Sequence, residues 1–410
     1  MVRSDVPWAC GRGAAAMALT SILLVAPGCR EQAPVERAPT IAIDSAGVEV
    51  VTSDPLNSDT YCTLSEEPVF SVGTLEGADP YMFYFLRGAA RLSDGSIAVM
   101  DNGSGEIRVF GADGRHLRSM GGKGEGPGEF RIGRYIWAMS GDTLWVGDYR
   151  PWRYHVYAST GEFSRTVAMD PIYLNGSLGG GVLANGVSVN VRDLFQFPVE
   201  NFRVPEPLFV EAHAADGTVI GELAKLDGRR WGAWDGTAES LWTLFDPVPV
   251  AFARGTTIAI TTAMEPEVRL LDEELRLRRI VRWLDPDREV TGAHVRAYRE
   301  ALIERRGGRD SENWQRFDDD MISESRPVAD VFPTVSSLRV GRDGRLWVYP
   351  YPRPGEGADW WIFGQDGDFQ CRLEHPGGVT IYELGADYLL GVHIDELDVE
   401  RVVMHELRLP

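Results

Sequence analysis

A repeating unit constrains this chain more than any other feature. Three copies read clearly: LSDGSIAVMDNGSGEIRVFGADGRHLRSMG (92–121), SGDTLWVGDYRPWRYHVYASTGEFSRTV (140–167) and VGRDGRLWVYPYPRPGEGADWWIFGQDGDFQCRLEHPGG (340–378). Each has a Gly-containing polar turn, a short apolar strand, a loop, a second strand with an aromatic near its end, another turn and a third strand. Trp145 and Trp347 fall at one equivalent place, and Phe110, Tyr157 and Phe363 at another. Weaker copies run over Leu183–Leu226, Ala253–Trp283 and Tyr382–Leu409, about six units in all. Short strands at regular spacing joined by Asp-Gly, Asn-Gly and Thr-Gly turns are a hairpin signal. Such a unit cannot bury both faces alone, so it packs radially against its neighbours, as in a β-propeller. Forty-five glycines and twenty-four prolines fit a fold of many turns and few long helices.

Ring closure is expected from the segment VFSVGTLEG (69–77), which repeats the pattern of LRSMGGKGEG (117–126). Val69–Gly73 then supplies the outer strand of the last blade, whose inner strands come from 382–409. The run GGKGEGPGEF (121–130) is not a phosphate cradle. It lacks the GxxxxGK[ST] order, the GxGxxG spacing fails, and no helix pattern follows. It is expected to carry the chain from an outer strand to the next inner one, with Phe130 plugging the space between blades.

The stretches GGKGEGPGEF, LSDGSIAVMDNGSGEIRVFGADG and DSAGVEVV (44–51), with the late segment from LRVGRDGRLWVYPY to VVMHELRL, resemble six-bladed β-propeller proteins common in Gemmatimonadota and Bacteroidetes. These are similar in turn to NHL-repeat proteins, in which G-x-G-x-F also links blades. The resemblance covers most of Ile41–Pro410. It implies an all-β, six-bladed β-propeller over 65–410. It names no activity, because one fold hosts many. The longest irregular piece, about 285–333, is expected as a helical insertion between blades four and five. Within it Val295, Tyr298 and Leu302 recur at helical spacing, and FDDDM (317–321) reads as a solvated acidic turn.

The N-terminus reads as an export signal over 1–28, its apolar core too short to span a bilayer. VAPGC resembles a lipobox, which makes Cys29 the expected lipidation site and 29–64 a tether and N-terminal extension. Arg30 after it leans toward the outer membrane. Membrane contact is then through the anchor alone. Cys62 and Cys371 remain after the signal, either as a bridge or as two buried thiols. The net charge of −20 argues against a nucleic-acid partner. A closed ring has few unpaired edges, so a monomer is expected.

Irregular pieces expected on one face are rich in Arg, Trp and Tyr: Arg150, Trp152 and Arg153; Arg229, Arg230, Trp231 and Trp234; Tyr349, Tyr351, Arg353 and Trp360. These types are enriched at binding hot spots, and they also serve to pack loops. The expected function is a cell-envelope binding or scaffold module whose partner is a protein, a glycan or a small molecule. The alternative is a periplasmic metal-assisted lactonase, lyase or hydrolase. For that, Asp101 and Asp148 at equivalent strand ends are the metal candidates, with calcium a possible divalent ion and no other cofactor expected. The same aspartates also suit capping of their own loops. The seven histidines form no short zinc pattern, and no GxSxG elbow appears.

Overall fold

The computed structural model describes residues 40–173, 180–193, 204–233, 241–284 and 287–410. Antiparallel meanders dominate them. Leu86–Arg91, Ile97–Asp101, Glu106–Phe110 and His116–Gly121 pair in chain order as the 86–121 sheet. Gly133–Ala138, Leu144–Asp148, Arg153–Tyr157 and Phe163–Ala168 form the 133–168 sheet. Val335–Val340, Leu346–Pro350, Asp359–Phe363 and Phe369–Glu374 form the 335–374 sheet. The meanders over 180–232 and 250–283 merge into one larger sheet, because Gly180–Leu183 and Val250–Gly255 pair in parallel.

One turn chemistry builds most hairpins. It recurs at 92–96, 111–115, 158–162, 183–187, 214–218, 341–345 and 364–368: the first N–H donates to the fifth carbonyl and the fourth N–H to the first. In most copies an Asp or Asn third residue also accepts from the fifth N–H, as Asp216 does from Thr218 at 3.0 Å. The fourth residue must turn left-handed, and Gly217 sits at φ 93°. At 272–276 this place falls to Leu275 (φ 64°), and Asp272 at the first position takes over the side-chain bond to Arg276 N at 2.9 Å.

Buried side chains link each meander to the next around a closed circuit. Met100 and Ile107 meet Phe130 and Ile136; Trp145 and Tyr154 meet Val182; Val189 and Val210 meet Ala253 and Ile258. Trp283 meets Trp361, Trp347 meets Leu389, and Leu390 and Val402 return to Leu86 and Phe110. The first strands of all these meanders contribute to one central cavity. The arrangement is that of a β-propeller. Phe130 is 1 % exposed and stands edge-on to His155, with ring centres 5.1 Å apart. Tyr157 donates its hydroxyl to Gly128 O at 2.5 Å and pins the glycine run.

Closure occurs where expected. Val379–Leu384, Tyr388–Ile394 and Glu400–Arg408 are completed by Phe70–Val72, with Val402 opposite Val72 and Met404 opposite Phe70. Thr63–Leu64 pairs with the end of the same strand. Before it, a hairpin of Ile41–Ser45 and Val48–Ser53 adds in parallel to Leu277–Trp283. Cys62 and Cys371 form a disulfide with Cα atoms 5.6 Å apart.

Two helices, α1 (Gly292–Arg305) and α2 (Arg316–Ile322), lie in the chain between Leu277–Trp283 and Val335–Val340. Thr291 and His294 form a capping box at the start of α1. Val295, Tyr298 and Leu302 form one side of α1; Val295 and Tyr298 pack on a cluster that includes Phe245 and Phe332. FDDDM is a helix rather than a solvated turn. Asp318 accepts from Gln315 N and Arg306 Nε, both at 3.0 Å, and an acid is favoured at a helix start.

Candidate functional site

Asp101 and Asp148 end the second strands of neighbouring sheets and are both buried. Asp101 Oδ1 accepts from the N–H groups of Tyr84 (3.2 Å) and Gly103 (2.9 Å). Its Oδ2 accepts from Ser104 Oγ at 3.1 Å and faces the Arg108 guanidinium at 3.3 Å. Asp148 Oδ1 accepts from Arg131 N (3.0 Å) and Ile132 N (2.9 Å), and Oδ2 from Arg153 Nε at 3.0 Å. Burial pushes the Asp148 carboxyl up, but the His155 ring 3.7 Å away, the bond from Ile132 N–H and the Arg153 guanidinium outweigh it and hold it below the usual range. Each aspartate ties the incoming link to an arginine on the next strand. Among the described residues no three His, Cys, Asp or Glu side chains converge as a metal set.

Most of the Arg- and Trp-rich loop residues are engaged. Trp152 is 1 % exposed, and its Nε1 donates to Asn190 Oδ1 at 2.8 Å, so it is a core residue and not a contact surface. Arg153 holds Asp148. Arg230 holds Asp246 through its backbone N–H (2.7 Å) and its guanidinium. Trp231 packs edge-on to Trp242 at 5.3 Å and donates to Glu206 at 3.1 Å. Arg229 lies over Trp242 at 4.7 Å. Tyr351 faces Phe332 at 5.8 Å, and Arg353 lies over Phe332 at 5.6 Å. Tyr349 stacks on Trp360 and His375, each at 5.0 Å. Trp234 and Cys29 lie outside the described residues. Burial, with the Asp193 charge adding to it, pushes the Glu206 carboxyl up to about 7.

One concavity of the scaffold lies elsewhere, on the axis. It encloses about 430 Å³ between the first strands of the meanders, within the range of small-molecule sites. Four first strands each carry one unpaired extra residue. Leu86 and Gly88 pair with successive residues and leave Arg87 out; Arg134 and Ile136 leave out Tyr135. Val335 and Ser337 leave out Ser336, and Ile381 and Glu383 leave out Tyr382. All four extra residues line the cavity. A bulge re-aims a side chain, and here it does so toward one space. Tyr135 accepts a left-handed backbone (φ 55°) to do so, a cost of order 1 kcal/mol.

The lining includes Arg87, Arg134, Arg254 and Arg339, with Tyr135, Phe252 and Tyr382 between them. Arg254 is paired with Glu383 at 2.8 Å, and Glu383 also accepts from Arg91 N and the Tyr388 hydroxyl. Arg339 donates to Ser337 Oγ (3.2 Å) and Leu338 O (2.8 Å) and lies over Phe252 at 5.3 Å. Arg134 lies over Tyr149 at 4.8 Å, and its Nε has no hydrogen-bond partner. Arg150, from the loop face, lies over the same ring at 5.1 Å. Burial pushes the Tyr382 phenol up to about 12, with Arg87 pulling it back, and its hydroxyl donates to Leu86 O at 2.9 Å.

No family model and no curated protein matches this chain. Solved structures do. A Bacteroides fragilis protein described as exported shares 10% identity at a TM-score of 0.49, covering 88% of this chain and 99% of that one. Agrobacterium tumefaciens regucalcin, a calcium-binding protein, shares 13% at 0.39, covering 86% and 97%. A gluconolactonase of Xanthomonas campestris shares 11% at 0.39, covering 90% and 100%. No helix among the described residues is long and apolar enough to cross a membrane.

Arg87, Arg134, Arg339, Tyr135 and Tyr382 were not singled out by sequence reasoning. A signal existed: GRYIWA and VSSLRV each place one arginine, and LRGAAR two, in a short strand at least half buried, where an unpaired charge is costly.

Proposed function

We propose that this chain is an exported binding module, a six-bladed propeller with its 285–333 insertion between blades four and five, which takes a small molecule into its central cavity. The make-up of that cavity carries the reading. Its lining holds no carboxylate, histidine, cysteine or lysine among the described residues, so it offers recognition groups without a neutral-pH base or a metal ligand. The signal over 1–28, a lipid anchor at Cys29, an envelope location and a monomeric state belong to the same proposal. Arg150 belongs to the rim of the site, while Arg229, Arg230, Trp231, Tyr351 and Arg353 hold loops. Thermal-shift screening of wild type beside Ser336→Trp, which fills the cavity from an exposed position, tests it. A compound that raises the wild-type Tm and leaves the variant unmoved is expected. If no compound acts through the cavity, the reading falls.

A second reading, the metal-assisted propeller enzyme, is favoured by Glu206, whose carboxyl near 7 suits a general acid or base. It requires a tightly held divalent ion, such as calcium, lost on Asp101→Asn or Asp148→Asn, and a hydrolytic or lyase activity abolished by Glu206→Gln. Elemental analysis of the purified chain separates the two readings.

A further inference from the structure

We infer that the ligand of the central cavity is an organic anion: a carboxylate or phosphate on a flat apolar body, its charge held by Arg87, Arg134 and Arg339. This rests on the reading of the cavity as a binding site.

The cavity holds charge without a counter-charge. The chain carries sixty-one acidic residues against forty-one basic ones. Even so, the cavity is lined by four arginines and by no acid among the described residues. Arg254 spends its charge on Glu383. Arg87, Arg134 and Arg339 form no ion pair among the described residues. Each instead lies over an aromatic ring: Phe85 at 5.6 Å, Tyr149 at 4.8 Å and Phe252 at 5.3 Å. Stacking fixes a guanidinium plane and leaves edge donors for a carboxylate or phosphate fork; in Arg339 Nη1 is taken by Ser337 Oγ and Leu338 O, which leaves Nε and Nη2. Arg134 Nε is shielded from solvent with no acceptor, so an anion in the cavity meets this guanidinium through its Nη atoms.

Arg87 and Arg134 are each the second residue of their strand, and Arg339 is the fifth of its own. Arg87 is the extra residue of a bulge, and Tyr135, the next bulge residue, follows Arg134 directly. Burial lowers the Arg339 pKa, and the nearby Arg254 charge adds to that. An arginine stays charged even so, and an anion between them relieves both effects. Phe252, Tyr135 and Tyr382 supply faces for the apolar body. A divalent cation in the same space meets arginine charge and no carboxylate among the described lining residues.

Titration calorimetry with naphthalene-2-carboxylate, its neutral carboxamide and phenyl phosphate tests this. The carboxylate or the phosphate is expected to bind at least tenfold more tightly than the carboxamide, and which of them wins names the anionic group. Arg339→Gln and Arg134→Gln are each expected to weaken that anion tenfold or more while leaving carboxamide binding within twofold. Arg87→Gln, at an exposed position, serves if either variant fails to fold. Equal binding of carboxamide and anions, blocked by Ser336→Trp, overturns the anion inference and leaves the binding reading intact. No binding of any probe at millimolar concentration, with no hit in the thermal-shift screen, overturns both.

Discussion

Asn190 sets the protonation of a residue it touches. Trp152 Nε1 and the Tyr154 hydroxyl both donate to its Oδ1, at 2.8 and 2.6 Å. A tryptophan nitrogen can only donate, so the amide nitrogen faces His213 Nδ1 at 3.2 Å. The proton therefore sits on His213 Nε2, which is buried without a partner. Burial pushes the His213 pKa below its ordinary value, with the Glu211 charge pulling the other way. A depressed folded pKa gives stability that is complete above the unfolded value, about 6.5, and is lost as pH falls through the folded value. Urea unfolding is expected to show a decline from pH 7 to 5 that is shallower in His213→Phe; parallel curves for the two proteins refute this. Gly217 makes a sharper case. A Cβ there lies 1.9 Å from the backbone oxygen of Ala168, so Gly217→Ala is expected to cost about 2–4 kcal/mol. Gly255 also turns left-handed, but with nothing within 4 Å, and Gly255→Ala is expected to cost only about 1 kcal/mol. Denaturant midpoints of the pair separate steric clash from backbone preference.

Elements were legible wherever chemistry is local. The Asp-Gly turns, the outward-to-inward crossing at Phe130 and helix α1 all follow from residues within a few positions of one another. The bulges at Arg87, Tyr135, Ser336 and Tyr382 were not legible, because a one-residue offset is a property of two strands and appears in neither alone. The aspartates show the same divide. Their place at strand ends could be read, but the choice between metal and loop cap depended on donors brought from 84, 131 and 132. The disulfide stood as an open alternative for the same reason. It joins the N-terminal extension to the strand Phe369–Glu374, beside backbone bonds from Cys62 N to Arg372 O and from Arg372 N to Thr60 O. Replacing both cysteines by serine is expected to lower the unfolding free energy by about 2–4 kcal/mol. Reductant is expected to match that loss in wild type and to leave the double variant unchanged.

The whole molecule depends on one seam. Val402 is buried between Val72 and Val392 and belongs to one cluster with Phe70 and Leu86. Val402→Asp places an unpaired charge there and is expected to cost at least about 3 kcal/mol, read as a lowered Tm and new susceptibility to protease at both chain ends. A far smaller effect means that the ring is held by something other than this pairing. The circuit of packing between sheets followed from the repeat, since every unit has two faces to cover. The cavity at its centre did not, since it is made of one strand from each. The seam also sets a schedule. Phe70–Val72 precedes the first meander in the chain, and Glu400–Arg408 ends the last one. The sheets at the two ends of the unfinished circuit each wait with an uncovered face until that strand arrives, and Cys62 waits across 309 positions for its partner. Contacts of such sequence separation form slowly. The chain is therefore expected to pass through an open arc before closure, and any factor that guards it has to act on the two ends of that arc rather than on its middle.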